Sequence, residues 1–220
     1  MPPPLQPEPS PDLGRTFLAQ LIGDIIDCRQ RLVAEDSDAG RRHLVRTVFA
    51  AIEGVVWTCR EHVLAIASSM GTLQPLAGMA LREQTYMVSE RGDVVEQIRF
   101  VTLPAMLRLI AKQAQLIEPE LTVRFDNSGW QNLKEAIVIR NRITHPKLVT
   151  DLAISDADVT IVNSGFTWTL ATTEYIMASA NLAHRWRNED LRTLLGRLES
   201  GDPAALAAYQ VALAAAHEAD

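Results

Sequence analysis

Apolar residues recur at helical spacing along most of the chain and rarely alternate. Phe17, Leu18, Leu21, Ile25 and Leu32 fall on one face of "LGRTFLAQLIGDIIDCRQRLVAE", which predicts a first helix starting near Asp12. "EDSDAG" reads as a turn. Leu44, Val48, Ile52, Val55, Val56, Cys59 and Val63 then form a stripe along "RRHLVRTVFAAIEGVVWTCREHVLAIASS", a long second helix closed by Gly71. Gly54 lies inside it, where glycine costs about 1 kcal/mol relative to alanine, and so marks a close approach between helices.

Beyond Gly71, "TLQPLAGMALREQTYMVSERG" reads as a weaker helical segment and "DVVEQIRFVTLPAMLRLIAKQAQLI" as a stronger one, interrupted or kinked at Pro104. Asp126, Asn127 or Ser128 caps "WQNLKEAIVIRNRITH", and Pro146 ends it, because the residue before a proline is pushed out of the helical region. Ser155 caps a short helix that Gly165 stops. "FTWTLATTEYIMASANLAHRWRN" follows as a long helix whose threonine and aromatic content would also suit a strand at its start. "EDLRTLLGRLES" and "DPAALAAYQVALAAAHEAD" complete the chain as helical segments rich in Ala and Leu.

The fold expected from this pattern is all-α: an up-and-down bundle of about five core helices, with no obvious place for a sheet. Its parts are a proline-rich arm over residues 1–11, with six prolines and no capacity for regular packing, a bundle over 12–188 and a helical C-terminal appendage over 189–220.

Composition agrees with this and narrows the function. Hydrophobic residues make up 47% and charged residues 22% of 220 positions, enough for one sizeable globular core, and aromatics are only 5%. Cys28 and Cys59 both sit within apolar helical patterns, as small buried hydrophobes rather than a disulfide framework, which suits a reducing cytoplasm. No signal-like start or uninterrupted apolar run of membrane-spanning length is seen, so neither secretion nor a membrane is expected. The net charge of −6 argues against a long basic surface that coats nucleic acid non-specifically. Locally the sign reverses: between Leu121 and Thr150, Arg124, Lys134, Arg140, Arg142 and Lys147 face only Asp126 and Glu135.

That window holds the candidate chemistry, Arg140, Asn141, Arg142 and His145 at the end of one helix. Asn141 and His145, four apart, share a face, whereas Arg140 and His145, five apart, diverge by roughly 140° on an ideal helix. Arginine is long enough to wrap across a helix surface, and Pro146 re-aims His145 by ending the helix there. A guanidinium and an imidazole are the groups needed to hold a phosphodiester and move protons on it. No Cys/His or acidic cluster suggests a metal, and no glycine-rich loop suggests a nucleotide cofactor, so chemistry without metal or cofactor is expected. The plain alternative is that Arg140 and Arg142 complement the helix dipole and His145 is a C-cap. His43, His62, His184 and His217 have no partner pattern. Trp57, Trp130, Trp168 and Trp186 read as core or interface anchors rather than base-stacking platforms, since none is interleaved with a basic run.

"RNRITH" matches the R-x(4–6)-H motif, with its polar residue directly after the arginine, of the HEPN superfamily, and "RRHLVRTVFAAIEGVVW" is similar to the long second helix of many such domains. The chain resembles this superfamily from about Asp12 to Trp186. The resemblance implies a helical bundle that dimerises with two motif copies facing each other, and a metal-independent endoribonuclease acting on RNA. Arg140 and His145 would be the catalytic pair and Asn141 the residue that orients them. The implied reaction is attack of a ribose 2′-hydroxyl on the adjacent phosphorus, leaving a 2′,3′-cyclic phosphate and a 5′-hydroxyl. His145 would act as base or acid and Arg140 would stabilise the developing charge. Arg142 and Lys147 are candidate phosphate contacts, and Glu53 is a candidate partner of Arg140, or simply an exposed helix residue. A toxin or defence nuclease is implied, with an antitoxin or regulatory protein as a further partner. The superfamily also includes domains without activity, so a non-catalytic module binding a nucleotide or a partner protein is the alternative.

Overall fold

The computed structural model describes residues 11–218. The proline-rich arm expected over residues 1–11 therefore lies outside the described residues, except Pro11, which opens the first helix. Seven α-helices follow one another among the described residues: α1 (Pro11–Ala34), α2 (Asp38–Ser69), α3 (Pro75–Leu81), α4 (Leu103–Ile117), α5 (Ser128–Thr144), α6 (Asp156–Glu199) and α7 (Pro203–Glu218). Two short strands, β1 (Gln84–Val88) and β2 (Val94–Ile98), form an antiparallel hairpin between α3 and α4, and a 3₁₀ turn covers Val149–Leu152. The class is all-α, as the hydrophobic pattern implies.

Local chemistry explains the ends of these helices. The Ser37 hydroxyl accepts the Gly40 N–H at the start of α2, and Asn127 Oδ1 accepts the Trp130 N–H at the start of α5. Ser155 and Asp158 form a reciprocal capping box at the start of α6. Gly71, at φ +67°, follows the end of α2 in a left-handed conformation that a side chain would disfavour.

Contacts across helices give their directions. Leu32 meets Gly40, Cys28 meets Thr47, and Leu21 and Phe17 meet Gly54, so α1 and α2 are antiparallel. A Cβ at Gly54 would come within 2.4 Å of a Leu21 methyl, the close approach that the mid-helix glycine implies. Trp168 against Gly129 and Gly165 against Leu133 make α5 and α6 antiparallel. Cys59 Sγ, 3.8 Å from the Thr173 carbonyl oxygen, and Ser69 Oγ, 3.3 Å from His184 Nε2, show α2 and α6 running the same way. Val45, Val48, Ile52, Leu107, Ile110, Leu133 and Ile176 are almost solvent-free between these helices. Both cysteines are free and buried, and burial pushes the Cys59 thiol up to about 12.

Three sequence expectations change. The segments around "REQTYMVSERGDVVEQIRF" are a hairpin, not helix. Glu83, at φ 56°, breaks the chain after α3, and a turn closed by the Ser89 N–H donating to the Asp93 carbonyl, with Gly92 at φ 83°, reverses it. Pro104 does not kink a helix; it lies in the first turn of α4, where its missing N–H costs nothing. Gly165 does not stop a helix: α6 runs unbroken over 44 residues from Asp156 to Glu199. The expected boundary at residue 189 therefore falls inside α6, and α7 folds back with Ala205 buried. No helix among the described residues is long and apolar enough to cross a membrane.

Candidate functional site at the end of α5

Trp130, Leu133, Ala136, Ile139 and Ile143 form the buried stripe of α5, and this fixes where its polar residues emerge. Arg140 leaves toward α2. Its Nη2 donates to Glu53 Oε1 at 2.5 Å, its Nη1 donates to Asn141 Oδ1 at 3.1 Å, and the guanidinium lies 5.2 Å from the centre of the Phe49 ring. Glu53 is thus the partner of Arg140, though both side chains keep solvent contact, 54% and 30% exposed respectively. Asn141 is exposed beside them.

His145 is the C-cap of α5. At φ −125° and ψ 57° its backbone has left the helix, its N–H still donates to the Asn141 carbonyl at 3.0 Å, and its side chain is exposed. The chain beyond it is held by Asp151, whose Oδ2 accepts the main-chain N–H groups of Lys147 and Leu148 at 2.8 and 2.9 Å. Those two hydrogen bonds hold the Asp151 carboxyl below the usual carboxylate range. No hydrogen bond joins the Arg140 and His145 side chains among the described residues, as the angular divergence on one helix implies. Within one chain Arg140 pairs with Asn141 and Glu53 and not with His145.

Arg142 takes another direction. Its Nη2 donates to the Ala153 carbonyl at 3.0 Å and to Asp158 Oδ2 at 3.2 Å, while its buried Nε has no partner among the described residues, so its guanidinium ties the end of α5 to the start of α6. Burial alone would raise the Asp158 carboxyl, but hydrogen bonds from the Ser155 N–H and hydroxyl and from Arg142 together hold it below its ordinary value. Arg124 is likewise paired, with Asp126. Three of the five cations in the positive window are thus matched by carboxylates, whereas Lys134 and Lys147 are exposed and form no ion pair among the described residues. Sequence reading missed a further set: Arg41, Arg42 and Arg46 of α2 donate to the carbonyls of Ile154, Leu152 and Ile143 and fasten the segment around His145. Their clustering in "RRHLVR" was visible in the sequence, but not which carbonyls they would reach.

Arg140 also stands at the wall of an open cleft of about 590 Å³. Phe17 of α1, Glu53, Trp57 and Arg60 of α2, Phe100 after the hairpin and Met106 of α4 line it with Arg140. Asn141 and His145 do not. Trp57 is 46% exposed and braced edge-on by Phe17, with ring centres 6.1 Å apart, so it is a cleft residue rather than a core anchor. Trp130, in contrast, is buried against Phe125 and Trp168, and Arg108 stacks on the Phe125 and Trp130 rings. The signal that could have found the cleft is the spacing Glu53, Trp57, Arg60, which sets three chemically useful side chains along one face of α2. Comparison of the chain with protein-family models, with curated proteins and with solved structures returned no match.

Proposed function

We propose that this protein is a HEPN-like, metal-independent endoribonuclease that acts as a homodimer. One observation carries the reading: Arg140 is held in place by Asn141 and Glu53 while His145, one turn further, leaves the helix and remains open to solvent. A positioned guanidinium and an accessible imidazole are what a 2′-hydroxyl attack on phosphorus needs: one to stabilise charge on the phosphate, the other to move the proton. Because the two side chains diverge within one chain, His145 of one protomer works with Arg140 of its partner. Lys147, exposed two residues after His145, contributes phosphate attraction, and Arg142, engaged with Ala153 and Asp158, serves the fold. A role as a toxin or defence nuclease, restrained by an antitoxin or regulatory protein, belongs to the same proposal.

The second reading is a non-catalytic module binding a nucleotide or a partner protein. The pairing of Arg140 with Glu53 favours it, since a matched guanidinium has less charge to offer a phosphate.

Incubating purified protein with mixed RNA in EDTA, beside His145→Ala and Arg140→Ala, separates the two. The nuclease gives chelator-resistant cleavage with 2′,3′-cyclic phosphate ends, reduced by roughly 10²-fold or more in both variants. Equal cleavage by all three proteins, or none by the wild type, sinks the ribonuclease reading.

A further inference from the structure

The cleft beside Arg140 combines features that neither the motif nor the fold requires. A large indole is left 46% exposed on α2, although the same face of that helix buries Gly54 tightly against α1. One turn before Trp57 stands Glu53, whose Oε1 accepts from Arg140, while Oε2 makes no hydrogen bond among the described residues. The other carboxylate of the cleft, Glu83, is already satisfied: Oε1 accepts the Val101 N–H at 2.9 Å and Oε2 lies 3.5 Å from Arg60. Glu53 is thus the carboxylate with capacity for a ligand. At about 590 Å³ the space is of the size that encloses small-molecule groups, typically ~300–1,000 Å³.

We infer that this cleft is the base pocket of the RNA substrate, with Trp57 as the stacking platform and Glu53 as the acceptor that selects guanine. The inference rests on the ribonuclease reading and names what that site recognises. An aromatic face accepts any base, so Trp57 supplies affinity without choice. Choice comes from the carboxylate, which only accepts hydrogen bonds. Guanine is the base that offers it two adjacent donors, the N1–H and the N2 amino group. Adenine and cytosine each offer one amino group flanked by an acceptor, and uracil offers a single N–H between two carbonyls that the carboxylate repels. Arg140, shared between Glu53 and the motif, links base recognition to the phosphate beside it.

The test uses the full chain and measures binding of the 3′-monophosphates of guanosine, adenosine, cytidine and uridine, which hold no phosphodiester to cleave. Guanosine 3′-monophosphate binds at least tenfold more tightly than the uridine nucleotide. Adding Trp57→Ala weakens it about tenfold, the loss expected of one stacked base, and Trp57→Phe restores most of it. Glu53→Gln erases the preference among bases, while Trp186→Ala, an exposed tryptophan on α6, changes neither affinity nor preference. Equal binding of all four nucleotides, or guanosine binding unaffected by Trp57→Ala, overturns the inference. The two readings fail separately. RNA cleavage dependent on His145 and Arg140 without this nucleotide pattern removes the pocket and keeps the nuclease; the nucleotide pattern without cleavage by the wild type does the reverse.

Discussion

Arg140 and Arg142 lie two positions apart on α5, so their side chains leave the helix roughly 200° apart, toward α2 and α6 respectively. The same residue type then does different work: Arg140 borders a cleft, and Arg142 closes the joint between α5 and α6 with Ala153 and Asp158. Removing Arg142 leaves one carbonyl and part of one carboxylate without a donor at a half-buried position. Arg142→Ala is expected to lower stability in urea by about 1 kcal/mol, between the worth of an exposed ion pair and that of a buried charged hydrogen bond. The pH dependence follows from Asp158, whose folded-state carboxyl is held below its ordinary value of 3.8. Its contribution is present above that value and lost as pH falls through the lower folded-state value, because the unfolded chain takes up the proton first. In Arg142→Ala this acid loss shrinks; urea midpoints that fall in parallel for both proteins across the acid range would show that Asp158 does not depend on Arg142.

At the scale of elements, the caps and stripes that depend on neighbours within four residues were readable: Asn127 and Ser155 start their helices, and Pro146 ends α5 at His145. Residues whose role depends on a distant partner are not legible in this way. The hairpin is not legible as strands because its apolar residues do not alternate cleanly; Tyr86, Met87, Val88, Val94, Val95 and Ile98 are all exposed, so no buried face imposes a period of two. Its β-branched residues on either side of "SERGD" were the available signal. Gly165 resembles a helix stop in the sequence, yet it is the point where α6 touches the backbone of α5: a Cβ there would lie 2.9 Å from the Leu133 Cα. Gly165→Ala is expected to destabilise the protein by about 1 kcal/mol or more, overpacking outweighing the gain in helix propensity. Gly196→Ala on the same helix, with nothing within 4 Å of the added methyl, raises stability by up to about 1 kcal/mol. Denaturant midpoints that move the same way in both variants would contradict the packing argument.

For the whole molecule, α2 and α6 run side by side as a parallel pair, with α1 packed on α2, α5 packed on α6 and α4 packed against both. At 44 residues α6 is about 66 Å long, more than the bundle needs. Among the described residues the contiguous core has no buried member beyond Ala180, with Ala183 packed against it, and Leu182, Trp186, Leu191, Leu194 and Leu195 stay exposed along the C-terminal part of α6, where α7 adds only a small contact. The bundle is therefore expected to fold without its C-terminal part. A chain ending at Asn188 should unfold in one cooperative thermal transition with a midpoint within a few degrees of the full chain; a broad, non-cooperative melt would make α7 part of the core.

The sequence by itself determined the helical class, most helix boundaries and the placing of Arg140, Asn141 and His145 at one helix end, because periodicity, caps and proline act through neighbours a turn or less away. Tertiary structure alone decided that Arg140 meets Glu53, 87 residues distant, that Arg142 is occupied by Asp158, and that Trp57 opens into a cleft instead of filling the core. Those outcomes depend on which helices come together and at what height, and α2 and α5 place a carboxylate, an indole and a guanidinium around one space only once both have packed.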